Sequence, residues 1–155
     1  MRTPVALHPL RVEDAEEMVH VLASPSLYTV TGGCPPTLDG LRARYAAQVR
    51  GSGRDDEEWR NWIVRGDGVA VGFVQATITG GTATLAWLIG EPWQGRGLAS
   101  AAVADMCDQL WGEGIQRFEA WIAPGHAPSE RVASRAGLER TGEIDDDGEV
   151  RWSSP

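Results

Sequence analysis

A glycine-containing turn between two apolar runs is the feature that most constrains the fold of this chain. Residues 85–89 form the first run, residues 93–99 the turn, and residues 98–111 the second run, whose apolar residues recur with helical spacing. This order predicts a strand, a tight turn and a helix. The first N–H groups of a helix lack partners within it, and the helix dipole favours negative charge there. Because Gly95 and Gly97 carry no side chains, the turn is a candidate site for a pyrophosphate.

Periodicity and turn residues predict alternating strands and helices along the rest of the chain. Thr37 is expected to start the second helix, and Asp67-Gly68 is a strong hairpin signal between two strands. The predicted strands are residues 5–10, 59–65, 69–79, 82–89, 117–123, 138–144 and 149–153; the predicted helices are about 13–23, 37–50, 98–111 and 129–136. The resulting order is β-α-α-β-β-β-α-β-α-β-β, an α/β (α+β) chain without internal repeats.

The apolar spacing also predicts which side chains are buried. Leu41, Tyr45 and Val49 lie four residues apart on the second helix, and Trp111 and Trp121 fit the pattern of core positions.

Length and composition narrow the class of protein. The 155 residues, 42% hydrophobic and 23% charged, predict one globular domain over residues 1–155. No apolar run approaches the roughly 18 residues of a membrane span, and no hydrophobic leader precedes the first strand, so we expect a cytoplasmic protein without a membrane partner. The net charge of −8 argues against nucleic-acid binding, and it is compatible with a cationic substrate or with simple solubility.

Neither the cysteines nor the acidic residues form a recognisable metal site. Cys34 and Cys107 are too few for a disulfide framework or a zinc set. The three aspartates 145–147 precede Gly148 and indicate an acidic hairpin turn, with no further ligands in a converging pattern. We therefore predict no metal.

Several segments resemble the GNAT N-acetyltransferases. Gln94, Gly97 and Ala99 match the family's acetyl-CoA signature, Gln/Arg-x-x-Gly-x-Gly/Ala. Residues 7–15, 86–90 and 129–138 are similar to phrases of the RimJ- and RimL-type branch, which acetylates ribosomal-protein N-termini. The resemblance covers nearly the whole chain. It implies a mixed central sheet of about seven strands flanked by four helices, and transfer of an acetyl group from acetyl-CoA to an amine.

The resemblance also implies which residues hold the cosubstrate. In the family, acetyl-CoA lies in a splay between the fourth and fifth strands, with its pyrophosphate on the glycine turn. Carried onto this sequence, the cofactor-binding set is Trp87, Leu88, Ile89, Gln94, Gly95, Arg96, Gly97, Leu98, Ala99, Ser100, His126 and Ser129.

Three positions depart from the family pattern. His126 stands where the family usually has an Asn that contacts the CoA arm. The fourth strand, residues 82–87, has no carboxylate where many members carry a general-base Glu. Ala133 occupies the position of a frequent Tyr.

The chemistry needs a neutral amine, a stabilised oxyanion and a leaving thiolate, and direct attack by the amine requires no enzyme nucleophile. The Ile89 N–H is the expected donor to the acetyl carbonyl. Glu57, Glu58 and His126 are candidate bases. Ser129 is the candidate acid, and it is equally suited to cap the following helix. An α-amine, with a pKa of about 7.7–8, suits a site lacking a strand-four base better than a lysine side chain does.

Two other functions are compatible with the sequence. A GNAT fold with these departures could be a catalytically weak acyl-CoA-binding or regulatory module. A glycine turn could also hold another nucleotide, although the sequence has no Walker motif. The acceptor could be a protein N-terminus or a small amine, and the resemblance allows a homodimer by analogy only.

Overall fold

Seven strands and four α-helices make up the structure, a computed structural model that describes residues 4–30 and 32–155. The strands are β1 (Ala6–Pro9), β2 (Glu57–Gly66), β3 (Val69–Thr79), β4 (Thr82–Ile89), β5 (Arg117–Ile122), β6 (Glu139–Ile144) and β7 (Val150–Ser153). The helices are α1 (Ala15–Val21), α2 (Leu38–Arg50), α3 (Leu98–Gly112) and α4 (Ala127–Arg135), with short 3-10 turns at Val12–Asp14, Pro25–Tyr28 and Glu91–Trp93. The predicted fold class and element order are confirmed.

All strands join one sheet, in the order β1-β2-β3-β4-β5-β7-β6. Neighbouring strands run antiparallel except β4 and β5, which are parallel. The β2–β3 hairpin closes through Asp67 and Gly68, with φ of 51° and 81°, the positive values that a two-residue hairpin turn requires. A parallel pair needs a crossover connection, and here that crossover is the glycine turn followed by α3.

Each face of the sheet packs against its own pair of helices. On one face, Val74 and Leu85 of the sheet lie against Met106 and Leu110 of α3. On the other face, the core of α1 and α2 packs against the sheet around Ile63. The β4–β5 junction therefore lies between two helical layers.

Several local expectations differ from the structure. Val49 is 54% exposed and Trp111 is 57% exposed, so neither belongs to the core. Both lie near the C-terminal ends of their helices, α2 and α3, where the spacing of apolar residues continues beyond the part of each helix that the core covers. Thr31, in the predicted loop 27–36, lies outside the described residues.

The start of α4 also differs from the prediction. The helix begins at Ala127, two residues before the predicted start, and its N-cap is His126. Pro128 is no obstacle in the first turn, because its missing N–H would be unpaired there anyway. Ser129 is therefore the third residue of the helix, and the prediction that it caps α4 is wrong.

Among the residues that the structure describes, no helix combines the length and the apolar character needed to cross a membrane.

Candidate active site

The strands β4 and β5 separate after three paired residues. Their parallel register runs from Thr82 opposite Arg117 to Thr84 opposite Glu119, and no pairing between them follows in the described chain. On their outer sides both strands stay paired, β4 with β3 as far as Ile89 and β5 with β7 as far as Ile122. The inner edges of both strands therefore carry backbone groups that no neighbouring strand satisfies.

This splay opens into a cavity of about 860 Å³. The volume is in the range of about 300–1,000 Å³ that is usual for small-molecule sites. Strand β4, the glycine turn, the start of α3, the end of β5, α4 and the 3-10 turn after α1 all contribute to the wall. The predicted cofactor residues that line it are Trp87, Leu88, Ile89, Gln94, Gly95, Gly97, Leu98, Ala99, Ser100, His126 and Ser129.

Ile89 turns its backbone groups toward the splay. Gly90 donates its N–H to the carbonyl of Val71 on β3, at 2.8 Å, while Ile89 lies opposite Gly72. Because successive residues of a strand point to opposite neighbours, the N–H and C=O of Ile89 point away from β3. The carbonyl accepts a hydrogen bond from Nε2 of Gln94 at 2.9 Å. The signature glutamine thus anchors the turn to the end of β4, and the Ile89 N–H faces the cavity.

Gly72 allows β3 to lie against this end of β4. A Cβ atom added at Gly72 would lie 2.1 Å from the carbonyl oxygen of Leu88 and 3.0 Å from the Cα of Ile89. A carbon atom and an oxygen atom cannot approach as closely as 2.1 Å without a bond between them. A side chain at Gly72 would therefore push β3 away from the segment of β4 that faces the splay.

The glycine turn owes its residues to backbone conformation. Gly95 and Gly97 have φ of 78° and 77°, in the left-handed region that favours glycine, and a Cβ at either would meet no atom within 4 Å. Gly97 is the N-cap of α3, and the first helical hydrogen bond runs from the N–H of Ala101 to its carbonyl. The N–H groups of residues 98–100 therefore have no partner within the helix and open onto the cavity, an arrangement that binds anions.

Three arginines lie around this anion site. Arg131 and Arg135, one helical turn apart on α4, line the cavity, and Nη1 of Arg135 lies 3.5 Å from the hydroxyl of Ser100. Arg96 belongs to the turn but does not line the cavity, and its Nη2 donates to the carbonyl of Pro92 at 3.3 Å. The sequence analysis missed the α4 pair. In the sequence, this pair is recognisable only as two arginines four residues apart in a chain of net charge −8.

His126 and Ser129 reach the cavity from the start of α4. They lie on the side opposite β4, next to the α4 arginines. Both candidate catalytic groups on this helix therefore line the cavity.

The remaining candidate base, Glu58, is not brought to the cavity. It lies near the start of β2 opposite Ile78 of β3, and β3 in turn pairs Ile78 with Ala83 at the closed end of the splay. Its carboxylate lies 3.6 Å from Nη1 of Arg60 and is exposed. Glu57 is outside the cavity as well and accepts a hydrogen bond from Nε1 of Trp59 at 2.6 Å. The candidate bases Glu58 and Glu57 therefore pair with Arg60 and Trp59 outside the cavity.

Glu149 is the carboxylate that lines the cavity. It lies in the turn between β6 and β7, where the backbone N–H donates to Oδ1 of Asp145 at 2.8 Å. Burial raises the pKa of the Glu149 carboxyl, and the negative charges of Asp145 and Asp147 raise it further. The predicted acidic turn therefore holds Glu149 in the wall of the cavity. Glu149 was not among the residues predicted for the site.

The 3-10 turn Pro25–Tyr28 and the preceding Ser24 are hydrogen-bonded to the 3-10 turn Glu91–Trp93, which leads into the glycine turn. Ser24 donates its hydroxyl to the carboxylate of Glu91 at 2.7 Å, and the hydroxyl of Ser26 donates to the same oxygen. These hydrogen bonds lower the pKa of Glu91. Ser26 and Leu27 of this turn line the cavity, whereas Tyr28 does not.

Within the described residues, no group of three or more His, Cys, Asp or Glu side chains is arranged to hold a metal ion.

A sheet split at one parallel pair, with a helix N-terminus at the split, places this chain among the α/β proteins that have an open cleft between two strands of one sheet. The family model described as the acetyltransferase (GNAT) domain matches residues 5–139. The chain therefore belongs to the GNAT acetyltransferase family and is an acyltransferase.

Solved structures share this backbone at low sequence identity. An acetyltransferase from Thermus thermophilus is 23% identical, with a TM-score of 0.81 over 100% of this chain and 99% of that one. The aminoglycoside acetyltransferase AAC(6')-Ib, solved with paromomycin and acetyl-CoA, is 20% identical, with a TM-score of 0.82 over 97% and 92%. A putative ribosomal-protein-serine acetyltransferase from Vibrio cholerae is 16% identical, with a TM-score of 0.77 over 99% and 94%. No curated protein matches the chain by sequence.

Proposed function

We propose that this protein is an acetyl-CoA-dependent N-acetyltransferase that moves an acetyl group to a primary amine, within a single domain. The observation that carries the proposal is the splay between β4 and β5, whose unpaired strand edges and helix N-terminus surround one cavity. Family membership supports the acetyl transfer, and the acetyl-CoA found in the AAC(6')-Ib structure supports the choice of donor.

In this proposal the cosubstrate binds mainly to backbone. Its pyrophosphate accepts hydrogen bonds from the N–H groups of residues 98–100, and Arg131 and Arg135 add positive charge beside it. The pantetheine arm extends β4 by pairing with its open edge, and the Ile89 N–H donates to the thioester carbonyl. This donor stabilises the oxyanion that forms when the carbonyl is attacked.

The acetyl group moves in one displacement. The amine nitrogen attacks the thioester carbonyl carbon, a C–N bond forms, and the tetrahedral intermediate expels the sulfur as the C–S bond breaks. Ser129 gives its hydroxyl proton to the leaving sulfur and takes one back from solvent water, so that CoA leaves as the thiol and the serine hydroxyl is restored. His126 and Glu149 are the two groups of the cavity wall that can accept the amine proton, and Glu149 also attracts the incoming ammonium.

The acceptor is a primary amine, carried by a protein N-terminus or by a small molecule. AAC(6')-Ib is a protein that acts on aminoglycosides, and the segments 7–15, 86–90 and 129–138 support a place in the RimJ- and RimL-type branch. Both point to an amine nucleophile.

The test combines binding with turnover. Acetyl-CoA is titrated into the protein by calorimetry, and release of free CoA thiol is then followed with a panel of primary amines at several concentrations of both substrates. We expect one-to-one binding, and initial rates that show a ternary complex rather than an acetylated enzyme. Absence of acetyl-CoA binding would overturn the proposal, and binding without turnover of any amine would favour the acyl-CoA-binding module.

A further inference from the structure

A second cavity, of about 270 Å³, lies between α2 and the strands β2 and β3, on the sheet face that α1 and α2 cover. Its polar wall consists of Arg44, Tyr45 and Gln48 from the helix and Asn61 and Gln75 from the sheet. The acetyl-transfer steps proposed above use none of these residues.

Two buried polar atoms of this wall have no hydrogen-bond partner among the described residues, namely the hydroxyl of Tyr45 and Oε1 of Gln48. The Tyr45 residue is only 4% exposed, and burial raises its pKa to about 12, so the hydroxyl keeps its proton. Buried polar groups are nearly always paired, because leaving one unpaired costs its full desolvation. A ligand that accepts from one atom and donates to the other would remove that cost.

The second cavity adjoins the splay through the sheet. Gln75 lies directly opposite Ala86 of β4, and Phe73 lies opposite Leu88. Gln75 and Phe73 line the second cavity, whereas Ala86 and Leu88 line the first. Neighbouring strands are about 4.8 Å apart, so the sheet residues that line the two cavities lie one strand apart.

The charge of the wall decides which group fits. Arg44 is the charged side chain among the described lining residues, and no carboxylate lines this cavity. An ammonium group would therefore meet a like charge with no counter-ion. A carboxylate would suit Arg44 but has no proton to donate to the unpaired Oε1 of Gln48. A carboxamide is uncharged and presents both an acceptor oxygen and a donor nitrogen.

We propose that the second cavity is the specificity pocket of the acceptor and binds the carboxamide of a primary-amine substrate, an inference that rests on the function proposed above. The carboxamide oxygen accepts from the Tyr45 hydroxyl, and its nitrogen donates to Oε1 of Gln48. The amine, a few bonds away, then reaches the splay beside β4.

Four amines of similar length test the specificity. Thiol release is measured with acetyl-CoA and γ-aminobutyramide, its alkylamine isostere isohexylamine, the carboxylate γ-aminobutyrate, and the diamine putrescine. We expect kcat/KM for the carboxamide to exceed that for isohexylamine and putrescine about tenfold, from two hydrogen bonds of ordinary strength. Equal values for these three amines would overturn the inference, and so would a kcat/KM for γ-aminobutyrate equal to or above that for the carboxamide.

The two tyrosines of the chain provide a matched pair of variants. Tyr45→Phe removes only the oxygen that faces the second cavity, and we expect it to cut the preference for the carboxamide about fivefold through KM. Tyr28→Phe is the control, since the Tyr28 hydroxyl donates to the carbonyl of Leu22 at 2.9 Å and lines neither cavity. A preference that Tyr45→Phe leaves intact, or that Tyr28→Phe reduces equally, would contradict the assignment.

Failure of catalysis is distinguished by direct binding. If no amine is turned over, the proposed function fails, and saturation-transfer NMR of γ-aminobutyramide on the intact protein then tests the cavity itself. Contact that Tyr45→Phe abolishes and Tyr28→Phe preserves would support the pocket. No contact, or equal contact in both variants, would overturn it.

Discussion

The two cavities of this protein lie side by side on one sheet and are built from different parts of the chain. The cavity in the splay is formed by backbone: two open strand edges, a left-handed glycine turn and the start of α3. The cavity under α2 is formed by side chains, with two unpaired polar atoms at its wall. A backbone site depends on where the chain runs, and a side-chain site depends on which residues the chain carries.

Solved structures of 16–23% identity superpose on this chain with TM-scores of about 0.8, so the course of the backbone is shared while most side chains differ. Backbone N–H groups are present whatever the side chains are, so the cosubstrate site survives extensive substitution. The cavity under α2 is formed by side chains, so substitutions there change its shape and polarity directly. We therefore expect the donor site to be shared by proteins of this fold and the acceptor site to be particular to this chain.

Gly97→Glu tests the backbone site most severely. The variant forces a side chain into a backbone with φ of 77° and places a carboxylate beside the anion site. We expect acetyl-CoA affinity to fall at least about a hundredfold in calorimetry, from strain and charge repulsion together.

Gly114→Glu is its matched control, because Gly114 has φ of 96° just beyond the other end of α3. Both variants should lose similar thermal stability, whereas acetyl-CoA binding should fail in Gly97→Glu alone. Equal loss of binding in the two would place the cosubstrate elsewhere.

Glu149→Gln tests the carboxylate that, among the described residues, lines the splay. If Glu149 attracts the amine, kcat/KM should fall roughly tenfold at neutral pH, the effect of a lost charge-assisted bond. In the unaltered protein kcat/KM should decline as pH falls through the raised pKa of Glu149, and the variant should lack that decline. Glu143→Gln, on the same hairpin but outside the cavity wall, should keep it.

The sign of the stability effect separates this role from a structural one. A carboxyl whose pKa is raised by folding stabilises the folded state at low pH, and this contribution is lost as pH rises through the folded-state value. Because burial holds the pKa of Glu149 above its ordinary value, Glu149→Gln should be at least as stable as the parent at neutral pH. A clear drop in melting temperature would show that the carboxylate supports the hairpin instead.

Arg131→Ala and Arg135→Ala probe the side-chain part of the donor site. Each removes a cation from the cavity wall, and we expect acetyl-CoA affinity to fall about fivefold per variant, less at high salt. Arg140→Ala is the control, since its guanidinium pairs with Glu130 at 3.7 Å outside the cavity. A loss as large as that of Gly97→Glu would mean that side chains, rather than backbone, dominate the donor site.

The backbone features of the molecule could be predicted from the sequence, whereas most side-chain contributions to the cavities could not. The bounds of β3 and β4 and the buried face of α3 were predictable, because strict apolar periodicity and glycine turns are local signals. The position of the glycine turn between β4 and α3 was predictable for the same reason. The structure was needed to show why residues 95 and 97 are glycines. Their backbone has a positive φ, whereas a Cβ atom at either would meet no neighbour within 4 Å.

The side chains that line the cavities could not be predicted from local sequence patterns. Glu149 reaches the cavity from a hairpin tip, and Arg131 and Arg135 reach it from α4, so their proximity to β4 depends on sheet order. Conversely, Glu58 looked suitable in the sequence, yet the β2–β3–β4 register places it at the closed end of the splay. Tyr45 fitted a buried helical stripe, and nothing in that stripe indicates that its hydroxyl lacks a partner.

The smallest expected effect is a difference in stability between Tyr28→Phe and Tyr45→Phe without any ligand. Tyr28→Phe deletes a formed hydrogen bond to Leu22, worth about 1 kcal/mol, which lowers the melting temperature by about 2–4 °C for a chain of this size. Tyr45→Phe deletes a buried hydroxyl that has no partner among the described residues, so its melting temperature should stay level or rise. Scanning calorimetry of both variants measures the difference. If Tyr45→Phe is as destabilised as Tyr28→Phe, the Tyr45 hydroxyl is already satisfied in the free protein, and the two cavities no longer differ in holding a polar group that awaits a ligand.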